Sequence, residues 1–337
     1  MSSIQPRWFH ASTLINTTIF FSGGTTGVNI NKTTFLDETL ALDLSQSWSI
    51  DNPLFTTLPQ LSVPVSGHSM DRVPGTTQLL VAGGELLTNQ TISPIQLYDA
   101  AGGNTTQWSS VSIPANATNT TTPFHRLYHT SITTGKDGVL LHGGYQSTVA
   151  NGTVVSSLVT LNPSNNFAPL STAPVSKALN PPALARHTMT LTADGKAIIL
   201  GGINSTGILA NLSMAYIMDT QATNAEWKLI PLLGKPPDPR VAFSTVMVNT
   251  TTLLVYGGTS DYKAAFWVTF YLDLPSLTWS APNALGPIPR RWGHTATMAG
   301  NIMVVSFGKQ GAYCCEFFFL LCIMFSGLWR KEKKKCV

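Results

Sequence analysis

The chain has 337 residues, of which 43% are apolar and only 11% are charged, so it can bury a large core and takes most of its polarity from uncharged side chains. Its net charge of +4 equals that of residues 330–335 alone, five basic and one acidic, so the remainder is neutral and electrostatics do not support nucleic-acid binding. All four cysteines lie after residue 313, which excludes disulfides, cysteine-ligated metals and thiol nucleophiles from residues 1–313.

The N-terminal part of the chain contains a unit that recurs further along. A β-prone run over 10–15 and a second over 19–22 flank a polar turn at Asn16, which predicts a hairpin. The second run ends at Gly23–Gly24, a polar loop follows, and a third apolar run ends at Asp43 shortly before Trp48. We expect each such unit to form four short strands, two before the loop and two after it.

Glycine pairs mark five copies of this unit, at spacings of 60, 60, 58 and 56 residues, and a sixth, decayed copy ends at Phe307–Gly308. A period of this length is typical of repeat architectures. The pairs are Gly23–Gly24, Gly83–Gly84, Gly143–Gly144, Gly201–Gly202 and Gly257–Gly258. A tryptophan follows in four copies, at Trp48, Trp108, Trp227 and Trp279, and Phe167 stands in its place in the third.

A four-stranded sheet with two apolar faces buries both by packing between neighbours around an axis, as in a β-propeller. The glycine pair, the following Tyr/Leu-Asp and the later tryptophan resemble the kelch motif over residues 6–308. The resemblance implies an all-β, kelch-type β-propeller of four-stranded antiparallel blades, five full and a partial sixth. The blades are expected at about 6–58, 64–113, 123–170, 182–230, 238–280 and, in part, 289–308. The ring would then be two strands short, which indicates a fragment or a faulty gene model at the chain ends.

Five of the seven histidines occupy one position, at the start of the first strand of a unit. They are His10, His68, His129, His187 and His294. One residue per unit is spread around a ring, whereas a metal needs three or four converging ligands. We therefore expect each histidine to form a hydrogen bond that fixes a strand start, and we predict neither a metal site nor a cofactor.

Galactose-oxidase-like proteins share this propeller, and their copper radical centre uses a tyrosine cross-linked to a cysteine. Residues 1–313 contain no cysteine, so that cross-link has no partner in the predicted propeller. We expect no catalytic residues and no enzyme activity. A copper oxidoreductase of the galactose oxidase type is kept as an alternative.

Ten Asn-x-Ser/Thr sequences predict exposure to the secretory pathway and N-glycosylation in turns and loops. Several of them map to the face of the ring on which propellers usually bind ligands. The candidate residues are Asn16, Asn31, Asn89, Asn104, Asn116, Asn119, Asn151, Asn204, Asn211 and Asn249.

The apolar segment 313–329 is followed by the basic segment 330–337, which is typical of a single membrane-spanning helix with a cytosolic tail. The propeller would then face the lumen or the exterior, in agreement with the glycosylation sequences. Alternatively, a retained intron or a frameshift encodes this tail.

These observations predict a non-catalytic kelch-repeat binding protein, anchored in the membrane as a glycosylated ectodomain. Its partner would be a protein or a carbohydrate of the cell wall, bound by loops on one face of the ring. The alternative is a soluble intracellular kelch scaffold in the cytoplasm, in which the glycosylation sequences and the tail are both accidental.

Overall fold

The computed structural model describes residues 4–27, 33–48, 52–86, 95–111, 126–135, 138–146, 152–167, 169–172, 181–281, 289–311 and 320–324. Throughout these ranges the regular structure is β-strand, with short 3-10 turns at Ala100–Thr105 and Pro163–Asn165 and no α-helix. The strands form six antiparallel sheets, here called blades 1 to 6, together with small sheets in the loops.

Each blade is numbered from its innermost strand outward. Blade 1 consists of Ala11–Ile15, Thr18–Ser22, Thr39–Asp43 and Phe55–Leu58. Blade 2 consists of Ser69–Arg72, Gln78–Ala82, Ile95–Asp99 and Ser109–Ser110. Blade 3 consists of Thr130–Thr134, Gly138–His142, Leu158–Leu161 and Pro169–Thr172.

Blade 4 consists of Thr188–Leu191, Lys196–Leu200, Met214–Asp219 and Trp227–Pro231. Blade 5 consists of Ser244–Met247, Thr252–Tyr256, Phe270–Asp273 and Thr278–Ser280, and the link Leu233–Gly234 adds a short parallel strand at its outer edge. Blade 6 consists of Thr295–Ala299, Ile302–Ser306 and Leu320–Met324.

The smaller sheets lie in the links and in the loops that follow the glycine pairs. They pair Thr25–Thr26 with Thr34–Phe35, Val65–Ser66 with Glu85–Leu86, and Tyr145–Gln146 with both Arg126–Leu127 and Thr153–Val154. These loops and links share one side of the ring, which we call the upper face, and the hairpin turns lie on the lower face.

The second strand of each blade is apolar on both sides because it packs between two neighbouring blades. In blade 1, Phe20 belongs to a core with Leu79 and Val81 of blade 2. The next residue, Phe21, packs on the opposite side with Val304 of blade 6. An uninterrupted apolar run is therefore the sequence signature of a strand that is covered on both faces.

The ring closes between the first and last blades. The innermost strands contact one another in the order 1 to 6, and blade 6 contacts blade 1. At the upper face, one residue of each link donates its N–H to the carbonyl of the equivalent residue in the preceding blade, which makes a closed circle of six backbone hydrogen bonds. The donors are Phe9, Gly67, Tyr128, Arg186, Ala242 and Gly293, with N···O distances of 2.8, 2.9, 2.7, 2.8, 3.2 and 2.8 Å.

The glycine pairs tie each blade to the next. The N–H of the second glycine donates to a link carbonyl of the following blade, as from Gly24 to Val65 at 2.8 Å, and Gly308 donates to Arg7 at 2.9 Å to close the circle. Gly23 has φ +56°, and a Cβ placed on it would lie 2.5 Å from the Val65 oxygen. Glycine is needed here because the two backbones approach too closely for a side chain.

The C-terminal prediction is wrong in its middle part. Leu320–Met324 forms a strand that pairs antiparallel with Ile302–Ser306, so blade 6 has three strands and not only its first hairpin. A short apolar run is ambiguous between helix and strand, and the open edge of the hairpin offers backbone partners to a strand. The rest of the predicted helix 313–329 and the basic tail 330–337 lie outside the described residues. Within the described ranges, no helix has the length and apolar character needed to span a membrane.

Candidate functional site

The repeated aromatic residues lie between blades and are buried, so they are not available to a ligand. Trp108 belongs to a core shared with blade 1, and its Nε1 donates to Thr39 Oγ1 and to the Pro59 carbonyl, each at 3.1 Å. Trp279 likewise donates to the Leu212 carbonyl of blade 4 at 2.9 Å. Trp48, Trp227 and Phe167 pack against blades 6, 3 and 2 in the same manner.

The five equivalent histidines connect neighbouring blades. In four of them Nε2 bonds to a hydroxyl of the preceding blade, and in His187 it bonds to Nδ1 of His142 at 3.0 Å. The hydroxyl pairs are His10 with Thr295 (2.9 Å), His68 with Ser22 (2.8 Å), His129 with Ser69 (3.0 Å) and His294 with Ser244 (2.8 Å). Burial lowers the pKa of His68, His129, His142 and His294 to about 3, so these rings are neutral at physiological pH.

Buried arginines bond to the glycine turns of blades 1, 3, 5 and 6. Arg7, Arg126 and Arg240 donate from Nη1 to the carbonyls of Gly23, Gly143 and Gly257, at 3.2, 3.4 and 2.9 Å. Arg291 donates to the equivalent carbonyl of Phe307 at 2.7 Å. In the parts of the chain that the structure describes, no three His, Cys, Asp or Glu side chains converge on a point that could hold a metal ion.

We call the contacts between neighbouring blades seams. The centre of the upper face differs from the seams because its residue type is not repeated from blade to blade. The six link residues that form the circle of backbone hydrogen bonds carry unrelated side chains, three large and three small. The large ones lie together: the rings of Phe9 and Tyr128 are 4.8 Å apart, and Arg186 Cζ lies 4.1 Å from the centre of the Tyr128 ring. Beneath them is a small central cavity of about 130 Å³ that the histidines also line.

Arg186 is held mainly by aromatic groups. Its Nη1 donates to Tyr262 Oη at 2.5 Å, and its Cζ lies 4.9 Å and 5.9 Å from the ring centres of Tyr262 and Tyr145. We call Phe9, Tyr128, Tyr145, Arg186 and Tyr262 the Arg186 cluster. Unlike Arg7, which forms an ion pair with Glu38, Arg186 has no carboxylate partner among the described residues.

Large apolar side chains are exposed near this cluster. Trp267, 50% exposed, shares the loop after the second strand of blade 5 with Tyr262. Ile208, 64% exposed, lies in the corresponding loop of blade 4. The loops that follow the second strands of blades 4 and 5 therefore each expose one large apolar side chain on the upper face.

A larger cleft of about 920 Å³ opens on the lower face, also between blades 4 and 5. Its floor is apolar, with Ile198, Ile217 and Leu274, and its rim carries charges of both signs. The rim pair Lys196–Asp194 is already joined at 2.6 Å. The rim also carries Asp219, Glu226 and Lys228, so the cleft presents charges of both signs and no single charge dominates it.

The described glycosylation candidates lie in turns and loops, as expected. Asn16, Asn211 and Asn249 are exposed, and Asn204 is half-buried. In Asn204, Asn211 and Asn249 the side-chain Oδ1 accepts backbone N–H groups, which leaves the amide nitrogen pointing away from the turn. Asn104 lies in the 3-10 turn of blade 2. The others, Asn31, Asn89, Asn116, Asn119 and Asn151, lie outside the described residues.

Comparisons with known proteins agree with this architecture. The KLHDC2/KLHL20/DRC7 Kelch-repeats domain model matches residues 186–330. Adagio protein 3 of Arabidopsis thaliana is 30% identical over 132 residues, which are 38% of this chain and 20% of that protein. Multiple epidermal growth factor-like domains protein 8 of Mus musculus is 26% identical over 240 residues, 68% of this chain and 8% of that protein. Acyl-CoA-binding domain-containing protein 5 of Arabidopsis thaliana is 30% identical over 141 residues, 40% of this chain and 21% of that protein.

The chain spans less than a third of the length of each of these relatives. They share with it the repeated part, which is the part that the structure describes as blades. The periodic glycine pairs, the blades built on them and the domain model that matches residues 186–330 together show that the chain contains kelch repeats.

Proposed function

We propose that the chain is a protein-binding module whose upper face, at blades 4 and 5, contacts the partner. The exposed Trp267, in the same loop as Tyr262 of the Arg186 cluster, is the observation that carries this proposal. Tryptophan, tyrosine and arginine are the side chains that most often dominate the energy of protein interfaces. Exposed indole rings are also costly in water unless a partner covers them.

Matched alanine variants test the location of the contact. Partners are first captured by cross-linking to the full chain and identified, and one is then purified for direct titration. We expect Trp267→Ala to weaken binding at least about tenfold and Ile208→Ala by a smaller factor, because buried apolar anchors carry much of an interface's energy. Leu54→Ala serves as the control, since Leu54 is also exposed, at 58%, but lies at the outer edge of blade 1. Equal effects of the two variants Trp267→Ala and Leu54→Ala would refute the assignment.

As a finer proposal, the module is an ectodomain that carries N-linked glycans. The exposed Asn16, Asn211 and Asn249 support it, because each stands in a turn with room for a glycan. Intact-mass measurement before and after endoglycosidase treatment tests this, and an unchanged mass contradicts it. A protein that is unglycosylated and released by alkaline extraction would instead favour the intracellular scaffold.

The proposed module binds without catalysis. Its buried histidines and arginines are used in hydrogen bonds between blades, which supports a structural role for them. Copper analysis combined with an oxidase assay on the purified chain tests this proposal. Bound copper with turnover would replace it by the oxidoreductase alternative.

A further inference from the structure

Trp267 stands at a position where other blades have a polar residue. In four blades, the residue near the end of the upper loop donates its N–H to the carbonyl of the second glycine of the pair, which aligns the loops with one another. The donors are Leu36, Val155, Ala210 and Phe266, at 2.8, 3.0, 2.9 and 2.8 Å. The residues that follow them are Asp37, Ser156, Asn211 and Trp267. The half-exposed indole of blade 5 is therefore not a requirement of the repeat.

The backbone around this tryptophan is held in place. The loop 259–267, here called the Trp267 loop, begins with two backbone hydrogen bonds between Thr259 and Val241, of 3.0 and 2.9 Å. Thr259 Oγ1 accepts the N–H of Tyr262 at 2.9 Å, and the Asp261 carboxylate accepts two further backbone N–H groups at 2.8 and 3.0 Å. Tyr262 has φ +59°, a conformation that a non-glycine residue keeps only where its surroundings impose it. The polar groups of the loop thus impose one conformation.

Two arginines from the links hold the side chains of the Trp267 loop. Nη1 of Arg186 donates to Tyr262 Oη at 2.5 Å. Cζ of Arg240 lies 4.3 Å from the centre of the Phe266 ring, and Phe266 directly precedes Trp267. Contacts with arginine therefore fix the loop on both sides of its tip.

Arg186 is itself held at the centre of the upper face. Its Cζ lies 4.1 Å from the centre of the Tyr128 ring, and the Tyr128 hydroxyl donates to Glu85 at 3.2 Å. The ring of Tyr262 also packs edge-on against Trp292, with ring centres 5.7 Å apart. The bond from Arg186 to Tyr262 thus connects the Trp267 loop to side chains from blades 2, 3 and 6.

The indole of Trp267 is uncovered although its backbone is fixed. It forms no ring contact and no hydrogen bond with any residue that the structure describes. An anchor on a preformed loop binds with a smaller loss of conformational entropy than one on a loop that must first be ordered. An indole that becomes buried also needs an acceptor for its N–H.

We propose that Arg186, acting through Tyr262, is a positioning residue that holds Trp267 ready to enter an apolar pocket of a folded protein partner, in which an acceptor meets the indole N–H. The inference rests on the proposed binding role of the upper face, and it specifies what keeps that face ready and which partner surface fits it.

The first measurement needs no partner. Hydrogen exchange of the full chain, followed by NMR, should show protection of the N–H groups of Tyr262 and Ala264, which the loop's own side chains accept. Tyr262→Phe and Arg186→Gln each remove the bond between these two side chains, so each should raise the two exchange rates about tenfold. Tyr216→Phe is the matched control on the strand Met214–Asp219 and should leave both rates unchanged.

The second measurement is a double-mutant cycle with a purified partner. Tyr262→Phe is expected to weaken binding about threefold and Arg186→Gln about tenfold, because the ordering of the loop must then be completed on binding. In the Trp267→Ala background, the same substitutions should change binding by less than about twofold, since no indole is left to position. In the Ile208→Ala background they should keep their full effect, because Ile208 lies in a different loop.

Two results would overturn the positioning role. One is unchanged hydrogen exchange at Tyr262 and Ala264 in both variants. The other is an effect of Arg186→Gln on binding that is equally large with and without Trp267, which would mean that Arg186 contacts the partner or acts on the whole fold. Both leave the proposed function standing, because it depends only on the comparison of Trp267→Ala with Leu54→Ala. Equal binding by those last two variants would remove the proposed function and the positioning role together.

Discussion

The seams between blades and the centre of the upper face are built from neighbouring positions of the same repeat but follow opposite rules. In the seams, five of the six blades have a histidine bonded to the preceding blade, and a glycine bonds to the following one. At the upper face, the six link residues share a backbone hydrogen bond but carry five different residue types. Repetition thus marks the residues that hold the ring together, and its loss marks the surface that we propose contacts a partner.

The largest expected effect is the response of the seams to acid. The unfolded chain protonates its histidines as the pH falls through about 6.5, whereas His68, His129 and His294 have pKa values lowered to about 3 by burial. The unfolded state therefore gains protons that the folded state does not, and stability is lost as the pH falls from about 6.5 towards 3. Circular dichroism should show cooperative unfolding in this window.

Blade 5 supplies the control for the acid response, because Phe243 occupies its histidine position. The variant His294→Phe should unfold at a lower pH than the natural chain. Its unfolded state has one histidine fewer to protonate, so acid favours unfolding less. An unchanged midpoint would mean that the histidines do not determine acid unfolding.

Two tryptophans provide the sharpest contrast between the regions. Trp279 is 3% exposed and fills the seam to blade 4, so Trp279→Ala should lower the free energy of unfolding by about 3–5 kcal/mol. Trp267 is 50% exposed on the upper face, and Trp267→Ala should change it by less than about 0.5 kcal/mol. Urea unfolding of both variants measures the difference. Comparable losses would place Trp267 in the core and remove it as a binding residue.

Glycine variants separate backbone strain from crowding. Gly257 and Gly75 both have positive φ, +66° and +71°, but only Gly257 is crowded, with a substituted Cβ 2.4 Å from the Arg291 oxygen. Gly75→Ala should cost about 1–2 kcal/mol from its φ alone. Gly257→Ala should cost clearly more, because it also breaks the contact between blades 5 and 6. Equal losses in urea unfolding would show that crowding contributes little.

The sequence predicts the seams better than it predicts the centre of the upper face. The blades, their order and the aromatic residues between them can be predicted because the period of Gly257–Gly258 and its equivalents recurs along the chain. The partners of the glycine N–H and of the histidine Nε2 lie in other blades, and a spacing does not reveal which atoms meet across a seam. The contacts of Arg186 with the surrounding rings do not follow from the repeat, although its position beside His187, where the other repeats have Phe, Gly, Tyr or Ala, is a visible signal in the sequence. The apolar segment 313–329 and the basic residues after it favour a helix, and the pattern does not reveal that Leu320–Met324 pairs with the open edge of Ile302–Ser306.

The last prediction concerns the effect of pH on stability at one seam, where a carboxylate stands in place of a hydroxyl group. Asp71 on the innermost strand of blade 2 accepts from Ser131 Oγ at 2.6 Å, where the seam of blades 4 and 5 has the hydroxyl pair Thr190–Thr245. Burial raises the pKa of Asp71 from 3.8 to about 6. As the pH rises, the unfolded chain therefore loses this proton before the folded chain does. The folded state loses stability as the pH rises from about 4 to about 6. Asp71→Asn keeps the hydrogen-bond acceptor without the charge and should therefore gain about 1–3 kcal/mol relative to the natural chain between pH 4 and 7. Because this trend is opposite in sign to that of the histidines, urea unfolding at several pH values distinguishes the two. A difference between variant and natural chain that stays constant with pH would show that burial does not raise the pKa of Asp71.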